Sequence, residues 1–409
     1  MTRPTAVSSR PRGAAFDLLA AFETGGFLLD RRGIGVGSSG VGAELPIPAG
    51  PDQVALGAAA ARAALDHIEG PAVVVGAFPF DPSAEATLVV PERAVVRIEP
   101  GEAVEFALRG GVAPSTDGEA PATTSSIPSQ AFTELQLSAI PSADAYAQAV
   151  AMAVARIRAG DLSKVVLART IEVHAGRELD PRTLLARLRA VDPDAYAFAV
   201  PSGPGRMLVG ASPELLVARR GRHVSCNPLA GSAPRSGDSE EDRATGDALL
   251  ASAKDREEHA IVVDAMVDVL QPYCEALTWD PSPVLLETAN VWHLSTRFLG
   301  VLREPAPDVL ELVAALHPTP AVGGAPRDRA LELIHELEPF DRACYAGPVG
   351  WIDANGDGDW ATALRCAELE GERATLYAGA GIVAGSEPLR EVDETERKFR
   401  AFLDALRWG

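Results

Sequence analysis

The chain has 409 residues, 47% hydrophobic and 23% charged, a balance that supports a large buried core and excludes a disordered polymer. Its formal charge of -20, with no run of Lys or Arg, excludes a face built to neutralise a nucleic-acid backbone, and an anionic ligand would need a local cation to hold it. No apolar run reaches the ~20 residues of a membrane span, and Cys226, Cys274, Cys344 and Cys366 form no CxxC pair, which fits reduced thiols in a cytoplasmic protein.

In chain order, Arg3, Arg10 and Arg12 precede an apolar stretch over 14–22 that imitates a signal peptide. Asp17 interrupts it and Glu23-Thr24-Gly25-Gly26 stands where a cleavage site belongs, so the spacing predicts an ordinary helix. Short β-rich runs at 73–77, 87–90 and 94–98 alternate with Gly/Pro turns and carry no chemical motif. A polar, Gly/Pro-containing stretch over 114–128 reads as a linker. Ser142 is an N-cap candidate, and Tyr146, Val150, Ala153, Val154 and Ile157 continue at helical spacing to Gly160. A strand is predicted over 165–173, and a hairpin where 196–200 and 207–209 flank Ser202-Gly203-Pro204-Gly205, with 215–218 extending the β pattern. Long helices are predicted over about 240–273 and 391–406. Hairpin-linked strands beside long helices, without regular βαβ alternation, imply an α+β fold with mainly antiparallel sheets. The expectation is one domain over 1–409, with 1–130 a scaffold portion and 142–406 the motif-bearing portion.

The chemistry is concentrated in that second portion. On the helix after 240, Glu258, Val262, Ala265 and Val269 share a stripe and Asp255 lies one turn earlier, so acids extend a face that should be buried. The C-terminal helix repeats the pattern with Glu391, Glu394 and Lys398. Two acid pairs on two helices, brought together, make a hard-cation site suited to Mg²⁺. Taken alone, Glu394 and Lys398 would read as an exposed i,i+4 pair contributing only ~0.3 to 0.5 kcal/mol. Asp353, Asn355, Asp357 and Gly358 imitate the start of an EF-hand, but Leu364 occupies the twelfth position, so the stretch reads as a hairpin turn.

Eight motifs occur in order: LSKVVLAR ending at Arg169, GASPELL from Gly210, NPLAGSAPR from Asn227, KDREEH from Lys254, HPTPAVGG from His317, LRCAE from Leu364, GAGIV from Gly379, and ExxExxxK at Glu391, Glu394 and Lys398. Together they resemble the chorismate-utilising enzymes, and their internal choices are most similar to the isochorismate synthases. That resemblance implies two large, mainly antiparallel sheets packed face to face and flanked by helices. It implies Lys164 as general base and Glu214 as general acid, for water addition at C2 of chorismate and loss of the C4 hydroxyl. It further implies Mg²⁺ held by Glu258, Glu394, Asp255 and Glu391, and substrate contacts from Gly231, His293, Ala321, Val322, Arg365, Gly379 and Lys398. His293, beside Trp292, reads equally as a satisfied core residue. Without the resemblance, Lys164 would be a charged strand-edge residue and Glu214 a turn acid.

Relatives are separated by single positions. Ala230 replaces the nucleophilic lysine of aminodeoxychorismate synthases, and HPTPAVGG differs from the anthranilate synthase pattern, so no glutaminase subunit is expected. Ala321 stands where salicylate synthases tend to carry threonine, and Val322 where leucine is common. The alternatives are a salicylate synthase, which goes on to eliminate pyruvate, and a silent chorismate-binding protein. A monomer is expected, and the product's destination, siderophore or menaquinone, stays open.

Overall fold

The computed structural model describes residues 6–12, 16–99, 103–108 and 135–408; the linker expected at 114–128 lies outside them. Every strand pairing among these residues is antiparallel. Nineteen strands join in one hydrogen-bonded network, and a separate sheet of three strands, Leu229–Pro234, Val291–Ser295 and Val284–Glu287, lies apart from it. The α+β class is therefore as the pattern implied, with the larger strands linked through continuous ladders.

Lys164–His174 is the organising strand. One edge pairs with Arg373–Ile382 through ten residues, setting Val166 opposite Gly381 and Ala168 opposite Gly379. Its other edge pairs with Gln136–Ile140 and, at its start, with Gly324–Ala325, where Ala325 faces Lys164. Motifs more than 150 residues apart in sequence thus become neighbours by register. The expected hairpin forms from Tyr196–Gly203 and Arg206–Ser212, with Val200 opposite Leu208, and Gly210 also faces Cys366.

Two apolar cores flank the network. One contains Phe78, Val150, Leu167, Leu316, Trp351 and Trp360; the other contains Leu184, Leu188, Val209, Phe399 and Leu406. The organising strand contributes Val165 and Leu167 to the first and Ile171 and Val173 to the second. At its middle, the buried Arg169 reaches Glu396 at 2.9 Å and lies over the Tyr146 and Phe399 rings, joining strand and terminal helix. The 1–130 portion is woven into this frame: Val73–Ala77 pairs with Pro348–Asp353, and Leu28–Arg31 with Tyr196–Gly203.

Ser142 caps the helix Ala143–Arg158 as expected. Of the helix expected over 14–22, residues 14 and 15 lie outside the described ones; over the rest, Asp17 caps a single 3-10 turn, Leu18–Ala20. Leu18, Leu19 and Phe22 are buried there and the Leu18 carbonyl presses against Gly37 of a neighbouring strand, so tertiary packing overrides the local pattern. The strand predictions at 87–90 and 94–98 merge into Ala86–Arg97. The helix predicted over 240–273 divides into Ser239–Ala251 and Ala253–Leu270. Ser252 turns the chain in extended conformation and caps the second helix by accepting from the Asp255 N–H, since a serine hydroxyl satisfies a free N–H best at a helix start. The terminal helix spans Pro388–Leu406. The DANGDG stretch is a hairpin turn joining Pro348–Asp353 and Gly358–Thr362, with the Asp353 carboxylate accepting from the Asn355 and Asp357 N–H groups.

Candidate active site

The register places one end of Lys164–His174, the two neighbouring strands, the small sheet and two helices around a single cavity. Glu214, Gly231, Glu258, His293, Ala321, Val322, Arg365, Gly379, Glu394 and Lys398 all line it. Lys164 lies directly behind, fully buried, with its Nζ 3.1 Å from Glu258 Oε1. A Cβ on Gly381 would fall 2.0 Å from that same Oε1 and 3.2 Å from Lys164 Cε, so only glycine lets the Lys164–Glu258 pair sit against this strand. Gly231, with φ of 78°, likewise lets the small sheet approach Asp255, whose Cβ would lie 3.1 Å from an added methyl.

Glu214 follows Pro213 in the two-residue break between the strands Arg206–Ser212 and Leu215–Arg220 and is buried. Burial raises its pKa from the ordinary 4.5 to about 7, against the opposing pull of Lys164, a hydrogen bond from Thr362, and Arg365. A charged carboxylate in a poorly solvated site is disfavoured unless a cation touches it. Glu214's hydrogen-bond partner is the neutral Thr362 hydroxyl, which donates at 3.4 Å, so the acid form persists near neutrality.

Arg365 donates to His293 Nε2 at 2.9 Å, which requires an unprotonated ring nitrogen. Burial, and then the charges of Arg365 and Lys398, hold the His293 pKa well below its ordinary 6.5. The ring is therefore a neutral prop on the cavity wall, beyond the core-packing role its sequence context allowed. It fixes a guanidinium whose planar fork suits a carboxylate.

The helical wall carries the acids. Lys398 Nζ bridges Glu394 Oε1 at 2.6 Å and the Gly379 carbonyl at 2.8 Å. Burial works upward on Glu394, but Lys398 overcomes it and lowers the pKa. Glu391 is raised to about 7 by burial and by the charge of Glu394. Lys254 lies among these groups, 3.4 Å from Asp255 Oδ1, 3.6 Å from Glu391 Oε1 and 3.8 Å from Glu258 Oε2. Burial opposes its charge, yet Glu258, Glu391 and Asp255 push its pKa up. Among the described residues, no three His, Cys, Asp or Glu side chains already converge as a ligand set. The four acids do gather on two helices, three of them around the Lys254 ammonium and Glu394 on Lys398.

Several contributors escaped the sequence reading. Arg342 and Glu338 form a buried pair at 2.6 Å; Arg342 also donates to the Val322 and Val166 carbonyls, while Glu338 accepts from the Ala168 N–H. This pair ties the Ala321-Val322 turn to the organising strand. His259 bridges the Ala230 carbonyl and the Thr296 hydroxyl. Lys254 had a signal: the chain has only three lysines, Lys164, Lys254 and Lys398, and all three stand at this site.

Residues 115–407 match a family described as chorismate binding enzyme. The chain is 43% identical over 340 residues to isochorismate synthase DhbC of Bacillus subtilis, spanning 82% of this chain and 80% of that protein. It is 40% identical over 361 residues to isochorismate synthase EntC of Escherichia coli, spanning 88% and 87%. The solved structure of MenF, the menaquinone-specific isochorismate synthase from Escherichia coli, matches with a TM-score of 0.81 at 25% identity, over 99% of this chain and 95% of that one. The chain belongs to the chorismate-binding enzyme family. Within it, the protein is an enzyme of the isochorismate synthase type, an isomerase.

Proposed function

We propose that this protein interconverts chorismate and isochorismate with Lys164 and Glu214 as a base and acid pair, in one domain and without a glutaminase partner. The observation that carries the reading is Glu214: a carboxyl lining the cavity whose pKa burial raises to about 7, with a fully buried lysine close enough to act on it. In the forward direction Lys164 acts as the base that takes a proton from the water that bonds to C2. The ring double bond shifts, and Glu214 gives its proton to the departing C4 hydroxyl, which leaves as water. One water enters and one leaves; proton exchange resets the pair, and the reverse reaction exchanges the roles. Arg365, propped by His293, would take the enolpyruvyl carboxylate together with backbone N–H groups near Gly379.

The donor set fits a hard divalent cation: Glu258 and Glu394, with Asp255 and Glu391 behind them, are oxygen ligands, three of which already share a stand-in ammonium, Lys254, while Glu394 holds Lys398. Bound Mg²⁺ would neutralise the ring carboxylate and compete with Lys164 for the Glu258 charge. Ala321 offers no hydroxyl to the cavity, and the nearby Thr319 hydroxyl accepts from the Ala321 N–H at 3.3 Å, which supports release of isochorismate before pyruvate is lost.

Incubating purified protein with chorismate and Mg²⁺, followed by chromatography, tests this. Isochorismate should accumulate and chelation should abolish turnover. Pyruvate and salicylate formed at the rate of chorismate loss would replace this reading with a salicylate synthase, and unchanged chorismate would leave a binding protein.

A further inference from the structure

Lys254 has no part in the reaction as proposed, yet its placement is specific. The chain uses 34 arginines against three lysines, so cations elsewhere are carried almost wholly by guanidinium groups. Lys164 and Lys398 each have a close acid partner, at 3.1 and 2.6 Å. Lys254 has none: its three contacts, at 3.4, 3.6 and 3.8 Å, are shared between the helix Ala253–Leu270 and the terminal helix. Its side chain is 32% exposed, against 0% and 11% for the other two. A compact ammonium on a flexible stem can be shared loosely and withdrawn into water, whereas a guanidinium fork would lock onto one carboxylate.

We infer that Lys254 is a positioning residue, a tethered countercation that holds the acids of the two helices together before the divalent ion binds and is displaced by it. Asp255 and Glu258 on one helix and Glu391 on the other repel one another, and a cation shared between both helices lowers that cost without a fixed geometry. Loose contacts also keep the displacement cost small. The inference rests on the metal reading above for its second half only; cohesion of the cation-free helices stands separately.

The test uses the full chain after chelation, with thermal melts and calorimetric titration of Mg²⁺. Lys254→Met should lower the melting temperature of the cation-free protein by on the order of 2 °C, and Mg²⁺ should restore it. Adding Asp255→Asn, at the acid nearest Lys254, should restore it as well, since one repelling charge is gone. Mg²⁺ should bind Lys254→Met about five- to tenfold more tightly, the effect of removing one charge near 4 Å at a partly hydrated edge. Lys254→Arg should keep the melting temperature and weaken Mg²⁺. An unchanged cation-free melt in Lys254→Met, or no rescue by Asp255→Asn, overturns the cohesion; equal Mg²⁺ affinity in wild type, Lys254→Met and Lys254→Arg overturns the displacement while leaving the metal reading intact. No Mg²⁺ binding in the wild type, with the melting pattern as expected, would sink the metal reading and leave the cohesion standing. Should Lys254→Met not fold, reductive methylation of the wild type decides: Mg²⁺ should raise labelling of Lys254 several-fold relative to Lys398, and unchanged labelling overturns the displacement.

Discussion

The turn-and-strand wall carrying Glu214 and the helical wall carrying Glu394 both press a carboxyl into the protein, and burial is the largest influence on each. Their protonation states nevertheless diverge. Glu394 has an ammonium in contact at 2.6 Å and falls below the ordinary carboxylate value, whereas Glu214 has only a hydroxyl 3.4 Å away and rises to about 7. Contact with a cation, at a carboxyl that is also the shallower of the two with its side chain 15% exposed, separates the group suited to hold a metal from the group suited to give a proton. Glu391 shows the intermediate case: it reaches about 7 because Glu394 adds to burial and the looser Lys254 offsets only part of it.

The largest expected effect comes from removing the proposed proton-transfer pair. Lys164→Ala and Glu214→Gln should each lower kcat by roughly 10² to 10⁴, the range for losing one general acid or base, with circular dichroism unchanged. Near-native turnover in either folded variant would remove that residue from proton transfer.

On the helical wall, Glu258→Gln and Glu394→Gln should weaken Mg²⁺ by about tenfold or more in calorimetric titration, because each loses a ligand charge at little change in volume. If both bind Mg²⁺ like the wild type, these acids are salt-bridge partners alone.

Stability against pH sharpens the contrast, because the two glutamates have opposite signs. Glu214 is raised, so its folded state binds the proton more tightly; the wild type should lose stability as pH rises from 4.5 to about 7, by on the order of 3 kcal/mol from this group. Glu214→Gln should remove that decline. Glu394 is lowered, so its contribution is present above the unfolded value of 4.5 and is lost as pH falls through the lower folded value. Glu394→Gln should thus fall furthest behind the wild type above pH 4.5, with the gap closing in acid. Urea titrations at several pH values measure both, and parallel profiles for the two variants would contradict the comparison. In kcat/KM, a basic limb near 7 should report Glu214.

The smallest effect belongs to Ala321→Thr. A single hydroxyl without a shell to aim it is seldom positioned for chemistry, so lactate-dehydrogenase-coupled pyruvate should stay a minor fraction of chorismate consumed. Stoichiometric pyruvate from this variant would make residue 321 the product switch.

Much of the site was legible because it consists of short segments whose spacing carries meaning. The Glu258 and Glu394 stripes show acids on buried helix faces, and the Ser142 cap, the Lys164–His174 strand and the 196–212 hairpin all follow from local chemistry and period. Asp17 illustrates the limit: the apolar stretch that scans as a helix closes as one 3-10 turn after it, because burial of Leu18, Leu19 and Phe22 against distant segments outweighs local spacing.

The sequence by itself determined the residue types, the α+β class and the motif set, since these depend on side-chain chemistry and local periodicity. Tertiary structure alone decided which groups touch. Register set Gly381 beside Lys164 and Glu258, Arg365 against a neutral His293, Arg342 beneath Val166 and Val322, and Lys254 among acids from two helices. Those contacts fix the protonation states, because a carboxyl's pKa depends on its burial and its nearest charges, and both come from segments far apart in the chain.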